Sequence, residues 1–421
     1  MATIDASNAA LLKTRADEKF AENVFAGAPY LAMIEKLPGV GGKTYQVALQ
    51  LGATIARGKR FQDVISNAAP TKRVEVDYAF QENYVAGYCP GLDAALASGG
   101  PNSIADLVGV EQDVAYSTAG QLLEQTAVRG DGYGTIAVVD SVVSGTTGTV
   151  VFQLKNKPDC LGIFVDDVLA AKSNPATASL VTAGNMKVTG VDPMLGQITV
   201  TMLAGQDGSG YAGYGLGLAA TYANSTSIQT IQSLNTMFTR TGLSGPFESL
   251  SSRSADPVRL AGHVYSVGSL GVKDSISLLI SSISNYPGAK PDCALVSTSA
   301  YLDLEQELGD AVRYTDAKGN GPGKMAEVLF PSITFRGPFG DVDVIAVPFL
   351  HDEDIYVIDT SSLFLTTAEA EMIAKMDPEA ENGSGWVQLQ TADAKRLGLR
   401  MFGAHGCRAF WKNGRAIRTI A

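Results

Sequence analysis

Near the start of the chain, hydrophobic and polar positions alternate strictly in two stretches. In the first, Tyr45, Val47, Leu49 and Leu51 alternate with Gln46, Ala48 and Gln50. In the second, Val74, Val76, Tyr78 and Phe80 alternate with Glu75, Asp77 and Ala79. A period of two marks a half-buried strand. Between them, residues 52–73 are polar, contain glycine and are basic at Arg57, Lys59 and Arg60. The pattern predicts a two-stranded ribbon over 44–80 with a long tip and nothing of its own to pack on. Such a ribbon is marginal in water, and its open edges invite pairing with another chain. The expectation is an arm that a neighbouring copy stabilises. Tyr45, Val47, Val76 and Tyr78 would make that contact along the strands, and Arg57, Lys59 and Arg60 at the tip.

Beyond the ribbon the period changes. Ile104, Leu107, Val108, Ala115, Thr118, Ala119, Leu122 and Thr126 follow helical spacing. Ser103 is placed to cap the start, with Asp106 three residues on as its capping-box partner, and Arg129-Gly130 ends the run. Within the helix read over 103–129, residues 104–129 would extend roughly 39 Å. From Thr135 to Leu218 short strands are predicted at 136–143, 150–154, 162–168, 186–191 and 197–203, with turn signals between them. This spacing predicts a small β-barrel or sandwich inserted into the chain. Residues 205–217, rich in Gly and Tyr, read as an exit loop.

An α/β pattern follows. Helices are expected at 275–285 and from Ser299 to Gly309, and strands at 293–296, 333–335, 342–347 and 355–358. The end is strand-like at 386–389, 397–402 and 407–410 and finishes in a basic tail. Residues 1–43 read as an extended arm with a helical portion over 7–23, broken by Gly27, Pro29, Pro38 and the Gly41-Gly42 pair.

Composition sharpens this picture in three ways. A chain of 421 residues, 45% hydrophobic and 18% charged, is long enough for two or three globular domains. No run approaches a membrane span, and Met1–Ala10 has neither the basic start nor the apolar core of a signal peptide. The net charge of -11 argues against a sequence-reading DNA binder. That charge is uneven: residues 301–381 hold 17 acidic against 5 basic side chains, and residues 386–421 hold 1 against 7. One acidic and one basic region suit head-to-tail contacts between subunits.

Candidate chemistry is sparse. Gly39-Val40-Gly41-Gly42-Lys43-Thr44 has Leu37 where a phosphate-binding loop needs glycine, and a strand where it needs a helix. It reads as a hinge. The four cysteines (Cys89, Cys160, Cys293, Cys407) form no paired motif and read as buried free thiols. His263, His351 and His405 share no ligand spacing. His351-Asp352-Glu353-Asp354 carries oxygen ligands of the kind a divalent cation takes, but reads more simply as a polar turn. No nucleophile, base and orienting partner assemble, so neither an enzyme nor a cofactor or metal site is expected.

The order of parts (arm, ribbon, long helix, β-insertion, α/β region) resembles the major capsid proteins of tailed bacteriophages, with the Hong Kong 97-type capsid fold. The resemblance rests on the ribbon 44–80, the helix 103–129, and the run Pro291-Asp292-Cys293-Ala294-Leu295-Val296-Ser297 with Leu302 to Leu308. Gly340 to Ile345, Ile355 to Asp359 and Leu363 to Leu365 complete it. It implies an α+β fold with an N-terminal arm (1–43), an extended loop (44–80), and a peripheral domain with its spine helix (81–134 and 366–421). An all-β insertion domain (135–218) and an axial domain (219–365) would make up the rest. It further implies self-assembly into pentamers and hexamers of an icosahedral shell around double-stranded DNA, contacted without sequence preference. A scaffolding protein, a portal and a decoration protein are implied partners, and the virion capsid, assembled in the host cytoplasm, is the implied location. Gly41, Gly42, Gly99 and Gly100 would be hinges. Some relatives cross-link a loop lysine to an asparagine near the C-terminus; here Lys59 with Asn382 or Asn413 are the candidates. The rival readings are an encapsulin-like compartment shell, a β-rich fibre or adhesin, and a hydrolase without a recognisable nucleophile.

Overall fold

The computed structural model describes residues 28–51, 62, 72–90, 107–145, 148–173, 186–202, 210–218, 230–308, 333–338, 340–376, 386–389 and 394–419. Strands outnumber helices among them. The chain divides into two compact units. One comprises Met1–Gln46, Asp77–Thr236 and Phe364–Gly406, the other Val47–Val76, Met237–Leu363 and Cys407–Ala421.

The first unit opens with the short helix α1 (Pro29–Met33) and strand β1 (Glu35–Leu37). The ribbon, β2 (Thr44–Gln50) and β3 (Arg73–Ala79), pairs strand with strand; Thr44–Gln46 and Asp77–Ala79 belong to this unit and Val47–Val76 to the other. Next come β4 (Gln81–Pro90) and the long helix α2 (Leu107–Arg129). At 23 residues α2 spans about 34 Å; its expected cap at Ser103 lies outside the described residues. It ends at Gly130, whose N–H bonds the Thr126 carbonyl at 3.1 Å. β4 was not expected from the sequence. It runs antiparallel to the 14-residue strand β19 (Ala394–Cys407) along its whole length. β19 also pairs with β16 (Leu363–Thr367), β17 (Ala374–Lys375) and β18 (Trp386–Gln388). Ala115, Tyr116 and Ala119 of α2 share one apolar core with Cys89, Trp386, Leu397 and Leu399 of this sheet.

α2 leads directly into a closed six-stranded barrel. Its strands are β5 (Ala137–Ser144), β6 (Thr149–Leu154), β7 (Val168–Lys172), β8 (Met186–Asp192), β9 (Gln197–Met202) and β10 (Gly215–Leu218), in the order β10-β5-β6-β9-β8-β7. Inward residues alternate as a barrel requires: Val150, Phe152 and Leu154 on β6, Ile198, Val200 and Met202 on β9. Two expectations are corrected here. Residues 157–162 form a 3-10 turn and β7 starts only at Val168, so 162–168 is not a strand. Gly215–Leu218 is not an exit loop but the strand that closes the barrel, paired with both β5 and β7. With glycine at two of its four positions it has almost no side-chain pattern; pairing on both edges holds it in place.

The second unit is built on a sheet of β11 (His263–Gly268), β20 (Gly414–Arg418), β15 (Asp354–Ile358), β12 (Cys293–Val296), β14 (Gly340–Ala346) and β13 (Thr334–Gly337), in that order. Every residue of β12 and β15 is buried, as expected for central strands. Helix α3 (Val272–Ser284) lays Val272, Ile276, Leu279, Ile280 and Ile283 into the core that contains Ala294, Val296, Ile355 and Val357. The first N–H groups of α3, on Val272 and Lys273, each bond Glu307 of α4 (Thr298–Leu308) at 2.8 Å. The expected basic tail is instead β20, lying between β11 and β15. It therefore belongs with the 237–363 sheet, not with the 366–406 segment.

Candidate assembly surfaces

The ribbon is held at its base. The Phe80 N–H bonds the Lys43 carbonyl (3.2 Å) and the Leu51 N–H bonds the Lys72 carbonyl (2.9 Å), which makes the ladder antiparallel. Tyr45 and Tyr78 meet Phe364 of the same chain edge-on, with ring centroids 4.9 and 5.6 Å apart. Gly406 makes room for this cluster, since a Cβ there would lie within 3 Å of the Phe364 and Tyr78 rings. Val47, Leu49, Val76 and Tyr78 are all buried. The expectation that the ribbon has nothing of its own to pack on is therefore corrected. Of the four strand residues expected to face a neighbour, Val47, Val76 and Tyr78 are covered within the single chain, and Tyr45 is partly exposed. The tip residues Arg57, Lys59 and Arg60 lie outside the described residues, as do Gly99 and Gly100.

At the foot of the ribbon, Gly39 and Gly42 have φ of 74° and 117°, values open to glycine. The Gly39 and Val40 N–H groups bond Glu369 and Thr367 carbonyls at 2.6 and 3.0 Å, prolonging the β1–β16 pairing. Gly41-Gly42 then turns straight into β2, with no helix that could cradle a phosphate.

Short helix α1 is tied to α2 and β19 by buried polar groups that the sequence did not single out. The Tyr30 N–H reaches Glu124 Oε1 (3.4 Å), and the Tyr30 hydroxyl meets His405 Nε2 (2.6 Å). His405 Nδ1 lies 2.6 Å from the Gln232 carbonyl oxygen. A carbonyl only accepts, so Nδ1 carries the proton and Nε2 accepts from Tyr30. Burial pushes His405 down to about 4, partly opposed by the Gln232 carbonyl. Burial likewise pushes Glu124 up to about 8, partly opposed by the Tyr30 and Leu31 amides. A signal existed in the sequence: Glu124 shares a helix face with Gly120, Ala127 and Val128, so an acid there faces the interior.

The C-terminal end of α2 is locked to the barrel. Arg129 pairs with Asp159 at 2.6 Å with both side chains buried. The Gln125 amide packs on Gly162, where no Cβ could fit. On its other side α2 leaves Asp113, Val114 and Ser117 exposed.

The remaining candidates resolve simply. All four cysteines are free and buried; burial raises the Cys160 thiol to about 11 and the Cys293 and Cys407 thiols to about 12. In the acidic turn, Asp354 is forked by Arg415 (Nε to Oδ1 2.9 Å, Nη2 to Oδ2 3.0 Å) and Asp352 accepts from Ser299. Among the described residues no group of three or more His, Cys, Asp or Glu side chains is placed to hold a metal ion. Asn413 is fully buried; its Oδ1 accepts the Asp359 N–H (2.8 Å) and its Nδ2 donates to Ser362 Oγ (2.8 Å). It is not available for a cross-link, and Asn382 lies outside the described residues. The expected opposition of an acidic and a basic region is largely satisfied inside one chain. Arg400 pairs with Glu369, Lys412 with Asp359, Arg415 with Asp354 and Arg418 with Asp303.

No family model matches the chain, and no curated protein does. Solved structures do. The cyanophage A-1(L) capsid asymmetric unit matches 93% of this chain and 93% of its own at a TM-score of 0.50 and 9% identity. A chain of Mycobacterium phage Adephagia matches 94% and 91% (TM-score 0.43, 12% identity). The holo-SrpI encapsulin complex of Synechococcus elongatus PCC 7942 matches 93% and 88% (TM-score 0.42, 7% identity). At such identity no individual side chain carries across; over 93% of its length the chain shares the fold of the cyanophage capsid chain.

Proposed function

We propose that this chain is the major capsid protein of a tailed bacteriophage, with a Hong Kong 97-type fold elaborated by the barrel. The observation that carries this reading is the cyanophage capsid match, which spans 93% of both chains. In this reading residues 1–43 are the arm, 44–80 the extended loop, and 81–134 with 366–406 the peripheral domain around spine helix α2. The barrel is the insertion domain, and 219–365 with β20 forms the axial domain. Each subunit lays the exposed part of its ribbon, with Arg57, Lys59 and Arg60, over α2 of the next copy. Backbone pairing at an open strand edge gives such a contact its strength, and an obligate interface buries on the order of 2,000 Å² or more. Gly41-Gly42 and Gly99-Gly100 act as hinges that let pentamers and hexamers use one subunit. The shell encloses double-stranded DNA and forms in the host cytoplasm with a scaffolding protein, a portal and a decoration protein as partners.

Expression of the chain, alone and with its candidate scaffold, followed by sedimentation and negative-stain microscopy tests this. Closed shells are expected; small particles or fibres overturn it. A shell filled with one protein cargo in place of DNA turns the reading to an encapsulin-like compartment. The triple variant R57E/K59E/R60E is expected to stay folded and lose shell formation.

A further inference from the structure

The barrel carries an apolar surface that its own core does not use. Leu161, Phe164, Val165, Val168, Met194 and Leu195 are all exposed, Val165 at 56% and Met194 at 84%. They lie together. The segment 161–168 runs along β8: the Asp166 N–H bonds the Val188 carbonyl at 2.9 Å, and the Val188 N–H bonds the Asp167 carbonyl at 2.8 Å. Cys160 Sγ lies 3.9 and 3.8 Å from the Asp192 and Gln197 carbonyl oxygens, which sets the 3-10 turn beside the 193–196 turn bearing Met194 and Leu195. The surface is built, not frayed. The Phe164 N–H bonds Asp167 Oδ2 at 2.8 Å, and the Met194 and Leu195 N–H groups bond Asp192 Oδ1 at 3.0 and 3.1 Å. A fixed cluster of exposed apolar side chains marks an interaction site.

We infer that this surface receives the ribbon tip, residues 52–71, of a second copy of the chain. The inference rests on the capsid reading and extends its interface from α2 onto the barrel. Two observations select the occupant. The reach fits, because β2 ends at Gln50 and β3 starts at Arg73. About ten residues of chain reach at most roughly 33 Å, close to the length of α2, so the twenty or so residues between the two strands are enough to carry a loop along a neighbour's helix to its barrel. The chemistry also fits. The tip holds Ile55, Phe61, Val64 and Ile65 beside Arg57, Lys59 and Arg60. The surface offers apolar side chains beside the exposed Asp166 carboxylate, which is paired with the exposed Lys187 at 2.8 Å.

Paired cysteines test this directly, since the four native thiols are buried. Val165→Cys and Gly58→Cys are introduced singly and together, shells are assembled under reducing conditions and then oxidised, and products are resolved without reductant. The expected result is a ladder of covalent oligomers from the double variant and monomer from each single variant. Shells that form but give only monomer from the double variant overturn the inference while leaving the capsid reading standing. So does cross-linking of Val165→Cys alone, which would mean barrel against barrel, or a link closed within one chain. Absence of shells from the unmodified chain removes both. If the first double variant does not assemble when reduced, Phe164→Cys with Lys59→Cys is read in the same way.

Discussion

The barrel and the sheet of the second unit are both six-stranded, yet they are specified differently. The barrel is assembled from consecutive sequence between Ala137 and Leu218, and its core is apolar apart from Asp159 and Lys172, which are also buried. The sheet takes β11 from residue 263 and β20 from residue 414 and pairs them in parallel, then sets β20 antiparallel to β15. Its late strand carries an arginine into the interior, and Arg415 is forked by Asp354 from the adjoining strand. Where closure is local, alternation of side chains is enough to fix register. Where a strand must return from the far end of the chain, the loop-closure entropy is larger. There a charge pair supplies what a four- or five-residue pattern cannot, because a shifted β20 would leave Arg415 buried without its carboxylate.

The sharpest way to break the comparison is to remove one member of that pair. Asp354→Ala is expected to cost about 3–5 kcal/mol, because it strands a buried charge. Asp354→Leu combined with Arg415→Met should recover most of this in urea denaturation. If the double variant were as unstable as the single, the pair would be needed for more than its charge balance. The matching experiment in the barrel is Leu216→Ala, on the closing strand β10. Leu216 is fully buried, and its truncation should cost about 3 kcal/mol. Faster amide exchange is expected to stay within residues 137–218; spread into the second unit would contradict the local picture.

The same contrast explains what could be read from the sequence. Strands β5, β6, β8 and β9 lie within a residue or so of where alternation puts them, because each has one wet and one dry face. β12, α3 and α4 were legible as well, from a dense apolar run and from helical spacing. The strands that were missed lack such a signal. β10 alternates glycine with leucine. β4 shows Tyr84 and Tyr88 to solvent, the reverse of the usual polar face. β20 reads as a basic tail until Asp354 is seen to meet Arg415. The ribbon was legible as two strands, but its packing on Phe364 was not, since that residue lies nearly 300 positions away in the chain. The anchor of Tyr30, Glu124 and His405 was missed for the same reason: one acid, one histidine and one tyrosine from three distant segments make no motif.

A smaller effect is expected at the joint between the two kinds of element. Gly162→Ala would drive a methyl group into the Gln125 amide, and overpacking of this kind costs about 1–3 kcal/mol. The added strain should fall on the barrel–helix joint and spare the barrel core. Gly162→Ala with Gln125→Ala should therefore regain stability relative to the single variant, which thermal melts of the three chains would decide. No recovery would place the cost in the 3-10 turn itself.

The last expected effect is a slope with pH, and it belongs to the first unit alone. His405 titrates near 4 in the folded chain against 6.5 ordinarily, so between those values the unfolded chain holds the extra proton. The stability tied to neutral His405 is complete above pH 6.5 and is lost as pH falls toward 4. Glu124 titrates near 8 against 4.5, so there the folded chain holds the extra proton. The stability tied to its neutral carboxyl is complete below pH 4.5 and is lost as pH rises toward 8. The two groups oppose each other between 4.5 and 6.5, and only Glu124 acts between 6.5 and 8. Each contributes at most about 1.4 kcal/mol per pH unit. Glu124→Gln keeps a neutral acceptor for the Tyr30 N–H and removes the titration. Urea midpoints measured from pH 6.5 to 8 should fall for the native chain and stay level for this variant. Parallel curves for the two chains would mean that Glu124 is already ionised at pH 6.5. The helix that carries the barrel would then hold a second buried charge in addition to Arg129, and the contrast between the two regions would narrow to how far apart in sequence their strands begin.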